Sequence, residues 1–495
     1  MKYTSTRGGE AVSAAQAIVK GLGEGGGLFV PESFPAVPMS EIAAMADMSY
    51  VERAECVLKR YLTDFSAEQL HEMAKAAYAR FDTEAVVPLH ALAQDVQVLE
   101  LWHGPTLAFK DVALTLLPHL MTASAKATGE TREILILVAT SGDTGKAALS
   151  GFQDVEGTGC AVFYPHGGVS QAQRLQMVTQ RGENTHVIAV HGNFDDAQTG
   201  VKRIFSDEEA ARALNERGVV LSSANSINWG RLVPQIVYYF SAYADMIASG
   251  AIQPGDEVNF CVPTGNFGNI LAAHYAGLMG LPVGKLICAS NENNVLTDFI
   301  STGVYDRRRE FHLTTSPSMD ILISSNLERM LYELCGRDSG RVREWMAALK
   351  EEGVYRLDEE ALETLQKHMY GGWASQEECA QEIERVWNEE KYLIDPHTAV
   401  AMKVMRSYRE ETGDMRPCVV ASTASPFKFG RAVADALRMD IDADDFTLCA
   451  RLTEKTGVAT PAAISELPNL PVRHKRTCAP EDMFSELMRE MNFGD

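Results

Sequence analysis

Two regimes of hydrophobic patterning alternate along this chain. Apolar positions recur at helical spacing in 39–62 and 66–80, and residues 1–95 as a whole read as mainly helical. Beyond them the pattern changes to short β-rich runs: ILILVA (134–139), CAVFYP (160–165), HVIAVHG (186–192), VNFCV (258–262) and LICAS (286–290). Each ends in a polar or Gly-rich loop ahead of a helical segment. That alternation predicts buried parallel strands in a doubly wound α/β sheet, whose ligands gather at the carboxyl ends of the strands. A last run of this kind, CVVAS, occupies 418–422. Between the fifth and sixth runs, 326–412 is charged and mostly helical, and acid-rich pieces such as EEGVYRLDEEALE read as solvated helix faces.

These patterns predict three parts. Residues 1–95 form a mainly helical N-terminal domain; 96–255 an α/β domain with a candidate lysine and substrate loops; 256–495 an α/β domain with a helical insertion near 326–412. A chain of 495 residues is long enough for two or three domains that each bury a core.

Composition narrows the function. Apolar residues make up 46% and charged residues 23%, ordinary values for a soluble enzyme. The net charge of −22, from 45 basic and 67 acidic residues, argues against a nucleic-acid partner. It leaves a small anionic substrate open, because a pocket can be locally positive on an acidic protein. Nine cysteines without a CxxC pair read as reduced core thiols, with no disulfide framework and no metal site. The N-terminus lacks the basic start and apolar core of a signal peptide, and no apolar run is long enough to cross a bilayer. The expectation is a cytoplasmic protein without a membrane partner. Two superficial motifs fail on context. GLGEGGG (21–27) contains GxGxxG but follows a helical stretch, so it reads as a plain loop, and DIDADD (440–445) lacks the glycine and terminal glutamate of a calcium loop.

The most informative residue is Lys110, in LWHGPTLAFKDVALT (101–115). A lysine amine is a nucleophile only when unprotonated. Trp102, Leu107 and Phe109 are expected to desolvate its ammonium form, and the positive end of the helix that Lys110 opens is expected to oppose it. Four loops supply what such a lysine would need. PTGNFGN (263–269) joins a strand to a helix; Gly265 and Gly268 let a ligand approach, Asn266 and Asn269 add donors, and the helix start completes a phosphate cradle. SGDTG (141–145) superficially resembles a nucleotide P-loop. Thr140 stands where the first glycine should be, however, and Ala147 follows Lys146 in place of a hydroxyl residue. Thr140, Ser141 and Thr144 suit a carboxylate instead. In SANSINWGRLVPQ (223–235), Arg231 with Asn225 and Ser226 would form a second anion receptor. Thr423, just past CVVAS, offers a neutral hydroxyl to a pyridine nitrogen. Two anion sites beside a reactive lysine suggest pyridoxal phosphate acting on a phosphorylated amino acid.

The same segments carry a family resemblance. STRG (5–8), GLGEGGGLFVPE (21–32), WHGPTLAFKD (102–111), ATSGDTG (139–145), GNFDDAQ (192–198), NSINWGRL (225–232), PTGNFGN, SPSMDI (316–321), SSNLER (324–329), DPHTAV (395–400) and STASPFKFG (422–430) resemble the longer class of threonine synthases, found in bacteria and fungi. These lie within the tryptophan-synthase-like (type II) pyridoxal phosphate enzymes. The resemblance implies that fold, with doubly wound sheets, and conversion of O-phospho-L-homoserine and water to L-threonine and phosphate. It implies that Lys110 is catalytic and holds pyridoxal 5'-phosphate as a Schiff base. By the same resemblance Gly265, Asn266, Phe267, Gly268 and Asn269 cradle the cofactor phosphate, and Thr423 faces the ring nitrogen. Asp143 stands where related enzymes commonly place an asparagine against the ring hydroxyl. Thr140, Ser141 and Thr144 would receive the substrate carboxylate; Asn225, Ser226 and Arg231 would receive its phosphate. A monomer or homodimer is expected. A dehydratase or phospholyase of the same fold would share the lysine without needing the receptor at 225–231.

Overall fold

The computed structural model describes residues 1–140 and 142–492. Two largely parallel sheets organise the molecule. One has six strands in the order Met369–Trp373, Val283–Ser290, Val258–Pro263, Cys418–Ser422, Val96–Glu100 and Leu89–Leu92, parallel except for the last pair. The other has five parallel strands in the order Arg476–Cys478, Thr185–Val190, Thr158–Pro165, Glu133–Ala139 and Val219–Ser222. The six apolar runs all form strands; five gain one to three residues at an end, HVIAVHG also stops short at Val190, and CVVAS keeps the bounds Cys418–Ser422. Such runs are buried on both faces, as in Thr158–Pro165, where every residue is buried.

The N-terminal part contains the helices the periodicity predicts, among them Tyr50–Tyr61 and Ala67–Tyr78, both opened by serine capping boxes. It also contains a three-stranded antiparallel sheet of Val12–Ser13, Lys2–Ser5 and Phe29–Pro31, so it is less uniformly helical than expected. The GLGEGGG segment is a tight turn against that sheet. A Cβ on Gly27 would lie 2.2 Å from the Ser5 hydroxyl, so the glycines here serve close packing. The segment 326–412 is mainly helical, but Val354–Arg356 and Met369–Trp373 are strands, the latter an edge of the larger sheet. The run EEGVYRLDEEALE therefore departs from the helix-face expectation at its centre, where Val354–Arg356 pairs with Val304–Asp306. DIDADD forms a turn, and Asp444 caps the helix Asp445–Thr456.

The helix Trp229–Ala248 is the central post. Almost all of it is buried, and Trp229 lies against Tyr3 and Tyr61 at ring-centroid distances of 5.2 and 5.5 Å. Arg231, two residues along, is thereby fixed between the N-terminal part and the sheets. All nine cysteines are free thiols, seven of them buried. Among the described residues, no helix is long and apolar enough to cross a membrane.

Candidate active site

Lys110 opens the short helix Lys110–Leu114, and its position is set by the chain that runs beside it. The Phe109 amide donates to the Thr423 carbonyl at 2.9 Å, the Ser425 amide donates to the Leu107 carbonyl at 3.1 Å, and Ala108 pairs with Ala424. Segment 107–110 is thus zipped to 423–425, just past the carboxyl end of the strand Cys418–Ser422. The Lys110 side chain is 13% exposed, and its amine lies 3.1 Å from the Ser318 hydroxyl and 3.5 Å from Asp143 Oδ2.

Burial is the largest influence on this amine and holds it below the usual lysine range; Asp143 opposes that shift, while Lys428 and Arg231 reinforce it. The desolvating groups are only partly those expected. Phe109 lies 5.6 Å from the amine and Leu107 is buried. The Trp102 indole is committed to the Ser422 hydroxyl at 3.1 Å and stacks on His103. The expected helix dipole is a minor contributor, because a helix of five residues aligns few peptide units. Two neighbouring cations do what the dipole was expected to do.

Asp143 starts the helix Asp143–Phe152 at the end of the strand Glu133–Ala139. Burial alone would raise its carboxyl; Lys428 and Lys110 outweigh it and keep the group ionised. In the same loop the Thr140 hydroxyl accepts from the Gly142 and Gly145 amides at 3.0 and 3.2 Å, so it shapes the turn. Thr144 is half-buried in the first helical turn. Ser141 lies outside the described residues.

The loop 264–267 leads into the helix Gly268–Leu278, with Phe267 in the left-handed region at φ 63°. Among the described residues, the amides of Gly265, Asn266, Phe267, Gly268 and Asn269 donate to no protein acceptor. Asn269 Oδ1 accepts from Tyr238 and Tyr239, at 2.6 and 2.5 Å, and its buried Nδ2 has no partner. A Cβ on Gly265 would lie 2.7 Å from the Ser318 carbonyl, so glycine is required where this loop meets the Ser318 segment. A row of unengaged amides at a helix start, with an unpaired buried donor, fits a phosphate monoester.

The 225–231 loop lies beside this cradle. Arg231 is 4% exposed; one amino group donates to the Ala224 carbonyl at 2.7 Å, and its buried Nε has no partner among the described residues. Burial pushes its guanidinium down to about 10, still cationic at neutral pH. Ser226 is half-buried and Asn225 exposed. Asn326 joins the two loops, its amide nitrogen lying 3.4 Å from the Ser226 hydroxyl and 2.9 Å from the Asn266 carbonyl. Thr423 is buried at the strand end beside Phe109.

The structure adds four residues that residue-type reasoning left without roles. Ser318, between Lys110 and Asp143, also donates its amide to His397 Nε2 at 3.2 Å. His397 Nδ1 lies 2.6 Å from Asp395, so the ring carries its proton on Nδ1 and accepts on Nε2. Lys428 forms an ion pair with Asp143 Oδ1 at 2.8 Å. Their motifs, SPSMDI, DPHTAV and STASPFKFG, were visible, but nothing local in them says which side chain reaches Lys110. No group of His, Cys, Asp and Glu among the described residues could hold a metal ion.

Comparison with known proteins shows the family. Residues 2–78 match the family described as threonine synthase N terminus, 82–423 that described as pyridoxal-phosphate dependent enzyme, and 398–477 that described as threonine synthase, C-terminal. A threonine synthase from Pseudomonas aeruginosa is 40% identical over 88% of this chain and 90% of its own length. A human protein named threonine synthase-like 1 is 43% identical over 86% of this chain, which spans 58% of that longer relative. The crystal structure of pyridoxal-phosphate-bound threonine synthase from Brucella melitensis superposes with a TM-score of 0.89, at 38% identity over 99% of both chains.

Proposed function

Because the chain belongs to the threonine synthase family of pyridoxal-phosphate dependent enzymes, we propose that it converts O-phospho-L-homoserine and water into L-threonine and inorganic phosphate. The observation that supports this reading is that loops 265–269 and 225–231, each holding a buried donor without a partner among the described residues, are joined through Asn326, with Arg231 close to Lys110. A single-phosphate reaction would need only the first.

Pyridoxal phosphate, when bound, supplies an electron sink for carbanion chemistry at the substrate's Cα and Cβ. The protein's own groups do the rest. Lys110 would hold the cofactor aldehyde covalently, and the free amidic donors of 265–269 would hold its phosphate. Once released by substrate, the Lys110 amine would take the proton from Cα and then one from Cβ, and would return a proton at Cγ after phosphate departs. Water would then add its hydroxyl at Cβ, with a proton delivered to Cα to complete threonine. Ser318 touches both Lys110 and Asp143, so it can keep the released amine pointed at the substrate while protons move. Arg231 and Ser226 would receive the departing phosphate. Thr140, Ser141 and Thr144 would shape the carboxylate pocket, and Thr423 would face the ring nitrogen. We infer a cytoplasmic enzyme acting as a monomer or homodimer.

Incubating the holoenzyme with O-phospho-L-homoserine, while threonine and phosphate are assayed together, tests the proposal. Equal yields are expected. Phosphate accompanied by 2-oxobutyrate and no threonine would overturn it in favour of a phospholyase.

A further inference from the structure

Asp143 sits between two buried lysines. Lys428 Nζ is 2.8 Å from its Oδ1, and Lys110 Nζ is 3.5 Å from its Oδ2. The Lys428 side chain is only 3% exposed, and its ammonium also donates to the Thr106 carbonyl at 2.7 Å. Thr106 is itself fixed, its amide and hydroxyl bonding to Asp111 at 2.8 and 2.6 Å. Lys428 is therefore held at two points supplied by different segments, and one of those points is the carboxylate that meets Lys110.

The arrangement has an electrostatic consequence. A lone carboxylate beside Lys110 would stabilise the ammonium form, which cannot attack an aldehyde or take a proton. An asparagine there would not do so, but this chain has Asp143. A second, non-reacting cation on the far oxygen offsets the carboxylate's field while leaving its near oxygen as an acceptor. We propose that Lys428 is a positioning residue that neutralises Asp143, so that the carboxylate orients the Lys110 amine without trapping it as an ammonium ion. The proposal rests on the reading that Lys110 captures the cofactor aldehyde. The remaining titratable groups facing this cluster are Arg231 near Lys110, His397 near Asp143, and Asp111, Lys146 and Arg80. Burial pushes Lys146 down to about 7, and its amine is tied to Gln180 at 2.7 Å. All of these are unchanged in the variants below, so differences between variants report on Lys428 and Asp143.

The test follows the capture of pyridoxal phosphate by the full-length protein freed of cofactor, read by visible absorbance across pH. In Lys428→Met the midpoint should move alkaline, with capture at neutral pH slowed about tenfold or more. Lys428→Arg should keep the original profile, and Asp143→Asn/Lys428→Met, which removes both charges, should restore it. A folded double variant with the original midpoint supports the proposal even where Lys428→Met alone fails to fold. A double variant that stays alkaline-shifted or does not fold overturns it, as does a Lys428→Met profile identical to the original. Normal capture profiles in a protein that makes no threonine would break the proposed function and leave this role of Lys428 standing.

Discussion

The two loops that converge on Lys110 look alike in sequence and differ in chemistry. Both SGDTG and PTGNFGN follow a buried parallel strand, contain glycines and open a helix. The 265–269 loop carries no charge, and its amides have no acceptor among the described residues, which suits an anion. Around SGDTG the Thr140 hydroxyl accepts from the Gly142 and Gly145 amides, and a carboxylate, Asp143, lies between the two lysines 110 and 428. A glycine-rich strand-to-helix turn is therefore not one kind of site. Whether it binds a phosphate or controls a lysine depends on which charges the rest of the fold brings to it.

Substitutions that exchange these properties should break the comparison. The largest effect is expected from Lys110→Ala, which removes the group both loops serve: turnover and the visible absorbance of bound cofactor should both be lost, as spectra and threonine assays would show. An intact visible band would contradict the assignment. Gly265→Ala should follow, since its Cβ meets a backbone carbonyl, the Ser318 oxygen, at 2.7 Å, and strain of about 1–3 kcal/mol would lower cofactor affinity roughly five- to 150-fold in an equilibrium titration. Arg231→Gln should raise KM for O-phospho-L-homoserine with cofactor affinity unchanged; unaltered kinetics would remove Arg231 from the substrate site. The smallest effect is expected from Tyr238→Phe. It removes one of two hydroxyls on Asn269 Oδ1, at a cost of about 0.5–1.5 kcal/mol in stability by denaturant titration.

Much of this was legible before any coordinates. Six strands were recognisable because continuous apolar runs ending in loops are what a doubly covered parallel sheet requires. Val96–Glu100 and Val219–Ser222 were not, because their burial is interrupted and their parallel partners come from distant segments. The N-terminal strands escaped for a similar reason: Val12–Ser13 is two residues long and acquires its identity only by pairing with Lys2–Ser5. In the site, Lys110 stood out through its apolar neighbours, and the glycine loops through their spacing. Ser318, His397 and Lys428 did not. Each reaches the cluster only because segments separated by roughly 80 to 320 residues meet there, and periodicity carries no trace of such a meeting.

Three lysines lie near Asp143 and its loop, Lys110, Lys428 and Lys146, and the account holds that only the first takes the cofactor. Borohydride reduction of the holoenzyme, followed by proteolysis and mass spectrometry, distinguishes them directly. The account requires a pyridoxyl group on the peptide containing Lys110, with Lys428 and Lys146 unmodified. A pyridoxyl group on Lys428 or Lys146, with Lys110 free, would contradict it.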